Sequence, residues 1–560
     1  MKNFLNKSIA IGASIVILGS CSKQLTEINI NPNGVDPANA NVNILLPGIL
    51  ATVSGYYSEL DNSVTSGVVQ HMQEDGWFNA YNHYTWVNRD WGIWYSALKD
   101  NELMINTAIK GNNPMHEGIG YVVRAFSFGN VTDLWGDAPY SEALKAASDI
   151  LQPKYDDQEE IYKGILEDLK KASDIFKNNS NTGIIANSDL VYQGNISKWH
   201  RLSNSLILRY AMRLSEKLPE LSKSYIKEVY DSGIYIESTA NEASVKFLGN
   251  TSADSWYLAA QFDPDGTSFR RRKVSKPLVD KLISSNDPRL TVWVAPVNCQ
   301  WVADLSLTVP VENFIRKDGV AQSYVSLTEK QYATQIAAGA KFTRRYNPNL
   351  YQGTVETGLY VGLPVGLINP DAYNNNPTPG QIVENQHVSQ LTAMYKANTG
   401  EYLKRRIATA SESLFILAEA AQRGWISADA ETYYNNAINQ SLQAWGKGAS
   451  YSTFIADANV KYNNSLQRII EQKWIASWNC SVEAWMDFRR TGLPALLPGP
   501  ASAEPVLPIR FIYGNNELLA NEANANAAIQ KIHETPYSTL RGKDSQWSKN
   551  WLLQGTNKPW

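Results

Sequence analysis

Between Gln73 and Trp86 the chain reads QEDGWFNAYNHYTW, a run dense in the residue types that could hold a sugar. A pyranose presents an axial C–H face and a rim of hydroxyls, so its receptor needs a flat ring beside amides or carboxylates. Trp77, Tyr81, Tyr84 and Trp86 supply rings, and Gln73, Asn79, Asn82 and His83 supply polar groups between them. Large amphipathic rings of this kind give contact area at little entropic cost. We take Trp77, Asn79, Tyr81, Asn82, Tyr84 and Trp86 as ligand-contacting candidates, displayed on a polar loop between two helices. The same spacing also admits a plainer reading, in which Trp77, Tyr81 and Tyr84, at i, i+4 and i+7, are the apolar stripe of a helix. A second set of rings, Trp256, Tyr257, Phe262, Trp293 and Trp301, lies in a turn-rich stretch, and Trp256 and Trp293 join the candidates from there.

Catalytic chemistry finds less support. A glycoside hydrolase needs two carboxyl groups about 5 to 9.5 Å apart, for which Glu74 with Asp75, or Glu356, are the available acids. Adjacent residues do not share a helix face, which argues against Glu74 and Asp75 as partners. Gly-x-Ser-x-Gly, His-Glu-x-x-His, paired Cys-x-x-Cys and Walker-type loops do not occur, and the six histidines form no ligand-spaced cluster. No catalytic residue, cofactor or metal is therefore expected. Asp254, Asp263 and Asp265 could offer oxygens to Ca²⁺, but Asp263-Pro264-Asp265-Gly266 reads as a plain turn.

The elements that must position these residues are mostly helical. Ile44, Leu45, Ile49, Val53 and Tyr56-Tyr57 repeat at helical spacing, Val64, Val68, His71 and Met72 suggest a second helix ending near Gly76, and Trp91 to Ile109 a third from about Asn88. Val122, Ala125, Phe126, Gly129 and Leu134 form one apolar or small face of a fourth, which Gly136-Asp137-Ala138-Pro139 then breaks. Ile161 to Phe176 and Ser197 to Ser215 continue the scheme, and helices return at Ser411 to Ala420, Thr432 to Trp445 and Ser465 to Asn479. Turn signals crowd residues 241–401, including Asn286-Asp287-Pro288, Asn347-Pro348-Asn349 and Asn374-Asn375-Asn376-Pro377, with β-prone runs such as Leu290 to Val297 between them. That stretch is read as an irregular, loop-rich insertion with short strands.

The chain has 560 residues, 43% of them hydrophobic, and can bury a large core. A formal net charge of −3 offers no electrostatic footprint for nucleic acid. The 17 Trp and 29 Tyr exceed what a core alone favours, so some of these rings are expected at a contact surface. Met1 to Ser20 carries Lys2 and Lys7 and then an apolar run, the pattern of a secretory signal. Leu18-Gly19-Ser20-Cys21 looks like a bacterial lipobox, which makes Cys21 the lipidated first residue of the mature chain and residues 21–43 its tether. Beyond the signal no run reaches about 18 uncharged apolar residues, so membrane attachment is expected through acyl chains alone. Cys299 and Cys480 remain and are read as two buried thiols rather than a disulfide.

Several motifs resemble the SusD/RagB family. Arg124-Ala125-Phe126 through Leu134-Trp135-Gly136-Asp137-Ala138-Pro139-Tyr140 is similar to its signature helix and turn. Glu412 to Ala420, Ile470-Glu471-Gln472-Lys473-Trp474, and Trp485-Met486-Asp487-Phe488-Arg489-Arg490-Thr491-Gly492 are similar to its later helices, with Asn286 to Leu290, Pro508 to Tyr513 and Asn31-Pro32-Asn33 at the corresponding places. The resemblance implies a mostly α fold with tetratricopeptide-like helical hairpins at 44–240 and 402–492, an irregular ligand-binding region at 241–401 and a C-terminal wrap at 493–560, all one domain. It implies a lipid-anchored outer-membrane protein facing the cell exterior, capping a SusC-like TonB-dependent transporter and capturing a glycan without altering it. A peptide-capturing lid of the same type is the alternative, with a surface glycoside hydrolase behind it. By the same resemblance the matched motifs are structural, with Asp137 capping a turn, and Arg489 and Arg490 bridging carboxylates such as Asp487 or helix-end carbonyls.

Overall fold

The computed structural model describes residues 40–559 apart from 87, 180–182, 378–384 and 539–541. The signal segment 1–20, Cys21, Asn31-Pro32-Asn33 and most of the tether 21–43 lie outside the described residues. The fold is mostly helical, as the periodicity predicts. Helices α1 (Val42–Leu60), α2 (Gly92–Lys110), α3 (Pro114–Trp135), α4 (Gln158–Asn178), α5 (Ile196–Arg213) and α6 (Pro219–Ser232) form the first half of the frame. From α2 onward each packs on the next, and α1 lies along α2.

Helix α3 shows how sequence sets this packing. Gly129 is the small residue of its apolar face, and a Cβ there would stand 2.2 Å from the Tyr210 hydroxyl of α5. Glycine is thus what lets α5 lie so close. The helix ends at Gly136, whose φ of 111° only glycine adopts readily. Asp137 follows and its Oδ1 accepts from the Gln158 backbone N–H, 2.9 Å away, at the first residue of α4. The Gly-Asp turn therefore stops one helix and caps the next.

The middle of the chain is irregular, as expected, with α7 (Lys276–Ser284) among its few helices. Strands are short. β1 (Met72–Glu74) pairs antiparallel with β5 (Arg272–Val274), β2 (Ala138–Pro139) with β3 (Tyr155–Asp156), and β4 (Ala243–Lys246) with β10 (Lys404–Ala408). β6 (Gln300–Ala303) runs parallel to β9 (Phe342–Tyr346), which pairs antiparallel with β7 (Arg316–Lys317) and through it joins β8 (Val320–Ala321). Two local expectations fail. After a single π turn at Asp61–Thr65 and an α turn at Ser66–Val68, the backbone flips at Gln70 (φ 58°) and Met72 enters β1, where a second helix is expected. Val64, Val68 and Met72 are buried all the same, so burial is right and the repeat is misread. Leu290 to Trp293 is a helical turn, where β-branched residues suggest a strand.

Helices α8 (Ala410–Gln422), α9 (Ala430–Ala444), α10 (Leu466–Ala476) and α11 (Ser481–Thr491) complete the frame, α8 packing on α5, α9 and α10. A chain of buried ion pairs joins the two halves. Arg213 meets Asp133 at 3.1 Å and Glu483 at 2.6 Å, and Arg209 reaches Glu483 at 3.5 Å and Glu412 at 2.6 Å. Arg490 holds Glu419 at 2.5 Å and Asp487 at 3.1 Å, and Lys473 holds Asp487 at 2.7 Å. Arg489 instead donates to the backbone carbonyls of Asp133 (2.5 Å) and Ile509 (3.0 Å). Burial works to raise the carboxyls of Glu419, Glu483 and Asp487, yet the cations around them bring all three below their ordinary range. Cys299 and Cys480 are free, buried thiols.

Candidate ligand-binding face

The face that Trp77 occupies begins with β1. Past Glu74 the pairing continues for one more bond, from the Asp75 N–H to the Arg271 carbonyl at 3.0 Å. At Trp77 the backbone then turns left-handed, with φ 51°, a region that bulky residues rarely enter. The result is an indole held outward, 59% exposed. The Arg271 guanidinium lies over the ring, 5.5 Å from its centroid, so one side of the indole is braced. Asn79 is exposed two residues on, at the start of the single turn Asn79–Asn82.

The other candidates turn inward. Tyr81 is buried, its hydroxyl 2.5 Å from Ser66 Oγ and its ring under Arg272 at 4.3 Å. Asn82 is buried too. Its Oδ1 accepts from the Glu74 N–H at 2.9 Å and its Nδ2 donates to the Glu74 carbonyl at 2.7 Å, so the amide serves the outer edge of β1. Tyr84 is sealed inside. Trp256 packs against Phe247 and Tyr395, and Trp293 stacks on Trp478 with centroids 5.2 Å apart. Tyr81, Asn82, Tyr84, Trp256 and Trp293 are therefore core residues. Tyr81 and Tyr84 are buried as the plainer reading has it, but not as a helical stripe, because the helical turn ends at Asn82 and Tyr84 has a left-handed φ of 60°. Trp86 is half-buried, edge-on to Trp485 and Phe511 at 5.9 and 5.5 Å.

The acids of the hydrolase reading are engaged. Glu74 pairs with Arg272 at 3.1 Å, Asp75 with Lys273 at 3.3 Å, and Glu356 with Lys276 at 2.8 Å. Asp254 and Asp263 serve turns, accepting from the Thr251 and Ser268 backbone N–H groups.

Around Trp77 the structure assembles loops that sequence spacing does not reveal. Gln73 Oε1 accepts from Gly366 N–H at 3.0 Å, and His83 Nε2–H donates to the Leu367 carbonyl at 2.9 Å. The His83 carbonyl accepts from Ala503 N–H at 3.0 Å, Gly366 O from Ala501 N–H at 2.8 Å, and Leu497 O from the Gln70 amide at 2.7 Å. Residues 73–83, 366–368 and 497–503 are thus one hydrogen-bonded surface, on which Ile368 and Leu497 are exposed along with Trp77. Leu497 to Pro505 wall an open trough of about 500 Å³. Ala503 is shared with a smaller hollow of about 200 Å³ between Tyr84-Thr85-Trp86 and Ser545-Gln546-Trp547. The sequence signal for the trough is proline density alone, at Pro494, Pro498, Pro500 and Pro505, and for Gln546 and Trp547 there is none. The trough itself is walled by Leu497, prolines and small residues, with Ser502 and Glu504 as its polar groups, while the rings and amide are Trp86, Trp547 and Gln546 of the smaller hollow and the exposed indole of Trp77.

Comparison with known proteins agrees with this frame. A family model described as starch-binding and associating with the outer membrane matches residues 35–305 and 343–514. A chitin-binding protein of known structure is 24% identical, with a TM-score of 0.67 over 93% of this chain and 100% of its own. A SusD homologue from Bacteroides fragilis is 20% identical, with a TM-score of 0.68 over 92% of this chain and 100% of its own. A further homologue from Bacteroides thetaiotaomicron is 19% identical, with a TM-score of 0.66 over 93% of this chain and 100% of its own. Among curated proteins none matches the chain. These structures share the fold, and with the family model matching most of its length the chain belongs to the SusD-like family, described as starch-binding and associating with the outer membrane.

Proposed function

We propose that the Trp77 face captures an oligosaccharide or polysaccharide outside the cell, and that the protein passes it, as an extracellular lid, to a SusC-like TonB-dependent outer-membrane transporter. The observation that carries this reading is the indole of Trp77, turned outward on a left-handed backbone and braced on one side by Arg271. A ring that served packing would be covered, whereas this one is free to lie against the C–H face of a sugar, with the exposed Asn79 nearby for hydroxyls. Half-buried Trp86 lines the adjoining hollow and extends the contact surface. The name of one solved relative, a chitin-binding protein, supports a glycan as ligand. Family membership makes the chain a binding protein rather than an enzyme.

Attachment is assigned to Cys21, acylated after removal of residues 1–20, with 21–43 as the tether. Each buried methylene of an acyl chain contributes about 0.8 kcal/mol, so two or more chains hold firmly. A Cys21→Ser variant is expected to leave the membrane fraction of cells, and its retention there would refute this assignment.

Separate calorimetric titrations against a panel of glycans and a panel of peptides test the ligand class, with a reducing-end assay on the same mixtures. Heat of binding from a glycan and no release of reducing ends is the expected result. Binding of peptides alone would replace the glycan with a peptide, and measurable release would overturn the non-catalytic role. Co-purification of a TonB-dependent transporter from detergent-solubilised membranes tests the partner.

A further inference from the structure

Outside the Trp77 face, a hollow of about 360 Å³ opens where the Gly136-Asp137 turn and the start of α4 meet the C-terminal wrap. That volume is within the range of small-molecule sites, about 300–1,000 Å³. Asn550 lines it, only 2% exposed, and neither its Nδ2 nor its Oδ1 has a hydrogen-bond partner. Buried amides in folded proteins are almost always paired, so this one calls for a guest that offers an acceptor and a donor side by side. The second oxygen of Asp137 is held in an ion pair by Lys531 Nζ at 3.2 Å, its first oxygen being taken by α4. The half-buried indole of Trp551 forms a further part of the lining, with Lys217 Nζ 4.9 Å from its centroid.

The charges around this hollow narrow the guest. Asp157, Glu159 and Glu160 stand at its mouth and disfavour an anion. Lys531 already bridges Asp137 and Asp157, so an ammonium guest would have to displace it. Among the described residues no group of His, Cys, Asp or Glu is placed to hold a metal ion. A neutral polyol meets every requirement. Vicinal hydroxyls give the Asn550 amide one donor and one acceptor, the carboxylates accept from further hydroxyls, and an indole takes a C–H face. We propose that this hollow is a second glycan site, seating one pyranose unit, and that it works whether or not the Trp77 face binds.

The test uses the mature protein carrying Trp77→Ala, so that the first face is weakened. Saturation-transfer NMR is run with methyl glycosides of glucose, galactose, mannose and N-acetylglucosamine and with their hexasaccharides, alone and with Trp551→Ala or Asp157→Asn added. Asp157 is largely exposed, so its substitution leaves folding intact. At least one sugar is expected to retain transfer in the Trp77→Ala background, and to lose about tenfold in affinity, about 1.4 kcal/mol, on Trp551→Ala or Asp157→Asn. A crystal grown with that sugar should show it on the Asn550 amide. No transfer from any sugar, transfer indifferent to both substitutions, or ordered water alone on Asn550 in that crystal would each overturn the proposal.

Discussion

Trp77→Ala is the perturbation on which the glycan reading depends. The side chain is 59% exposed, and an aromatic residue of this size has about 150–250 Å² to bury, leaving roughly 120 Å² open. A ligand lying on the outward side covers about half of that, on the order of 60 Å², because Arg271 braces the ring from another side. At about 25 cal/mol per Å² the lost contact is worth about 1.5 kcal/mol, or about tenfold in Kd. Stability should change little, within about 0.5 kcal/mol, since the ring fills no cavity in the core. The assay is calorimetry with the tightest glycan of the panel, paired with a thermal melt. A tenfold loss of affinity with an unchanged melt is expected. An unchanged Kd would refute the assignment of this ring, and a large drop in melting temperature would show that the residue packs rather than binds.

Three further outcomes concern the frame. Gly129→Ala places a Cβ 2.2 Å from the Tyr210 hydroxyl, and overpacking of this kind costs about 1–3 kcal/mol, readable as a lower urea midpoint and partly restored by adding Tyr210→Leu. Arg490→Met leaves Glu419 and Asp487 buried together, and since Arg423 and Lys473 still hold them at 2.9 and 2.7 Å the loss should fall near the lower end of about 3–5 kcal/mol by denaturant titration. Acidification should destabilise the protein from about pH 6.5 downward. Burial holds both His71 and His387 at about 3, so between that pH and the usual histidine value the unfolded chain binds protons that the folded one does not. Each site then contributes about 2 kcal/mol of loss at pH 5. Glu419, Glu483 and Asp487 add losses at lower pH, as protonation reaches their depressed range, while Asp61 and Asp133, raised by burial, act in the opposite sense. A His71→Asn variant isolates one site: its stability difference between pH 7 and pH 5 should be smaller than that of the parent by about 2 kcal/mol, and an equal difference would refute the buried neutral state.

The frame was legible because helical burial repeats locally. The face of α3, the glycine that admits Tyr210 and the turn that caps α4 are all carried by neighbouring residues. The site was legible only in part, because its geometry is made by contacts between distant segments. Asn82 looks like a ligand-binding amide until Glu74 takes both of its hydrogen bonds, and Tyr81 looks exposed until β5 brings Arg272 across it. Trp256 and Trp293 lie in a turn-rich stretch yet face the helical core, since irregular backbone still buries its rings. The reverse error hid the trough, whose residues 497–505 are small and proline-rich and gain meaning only beside His83 and Gln70.

The ion-pair chain across the frame also orders events in time. Arg209 sits in the first half, and its acids, Glu412 and Glu483, are synthesised much later; Glu412 lies 203 residues downstream. A ribosome releasing the chain from its first residue exposes that arginine long before either acid exists. Sealing it away at that stage would strand a lone charge, at a penalty of several kcal/mol. The early helices therefore have reason to remain open until the final third of the chain arrives with both acids.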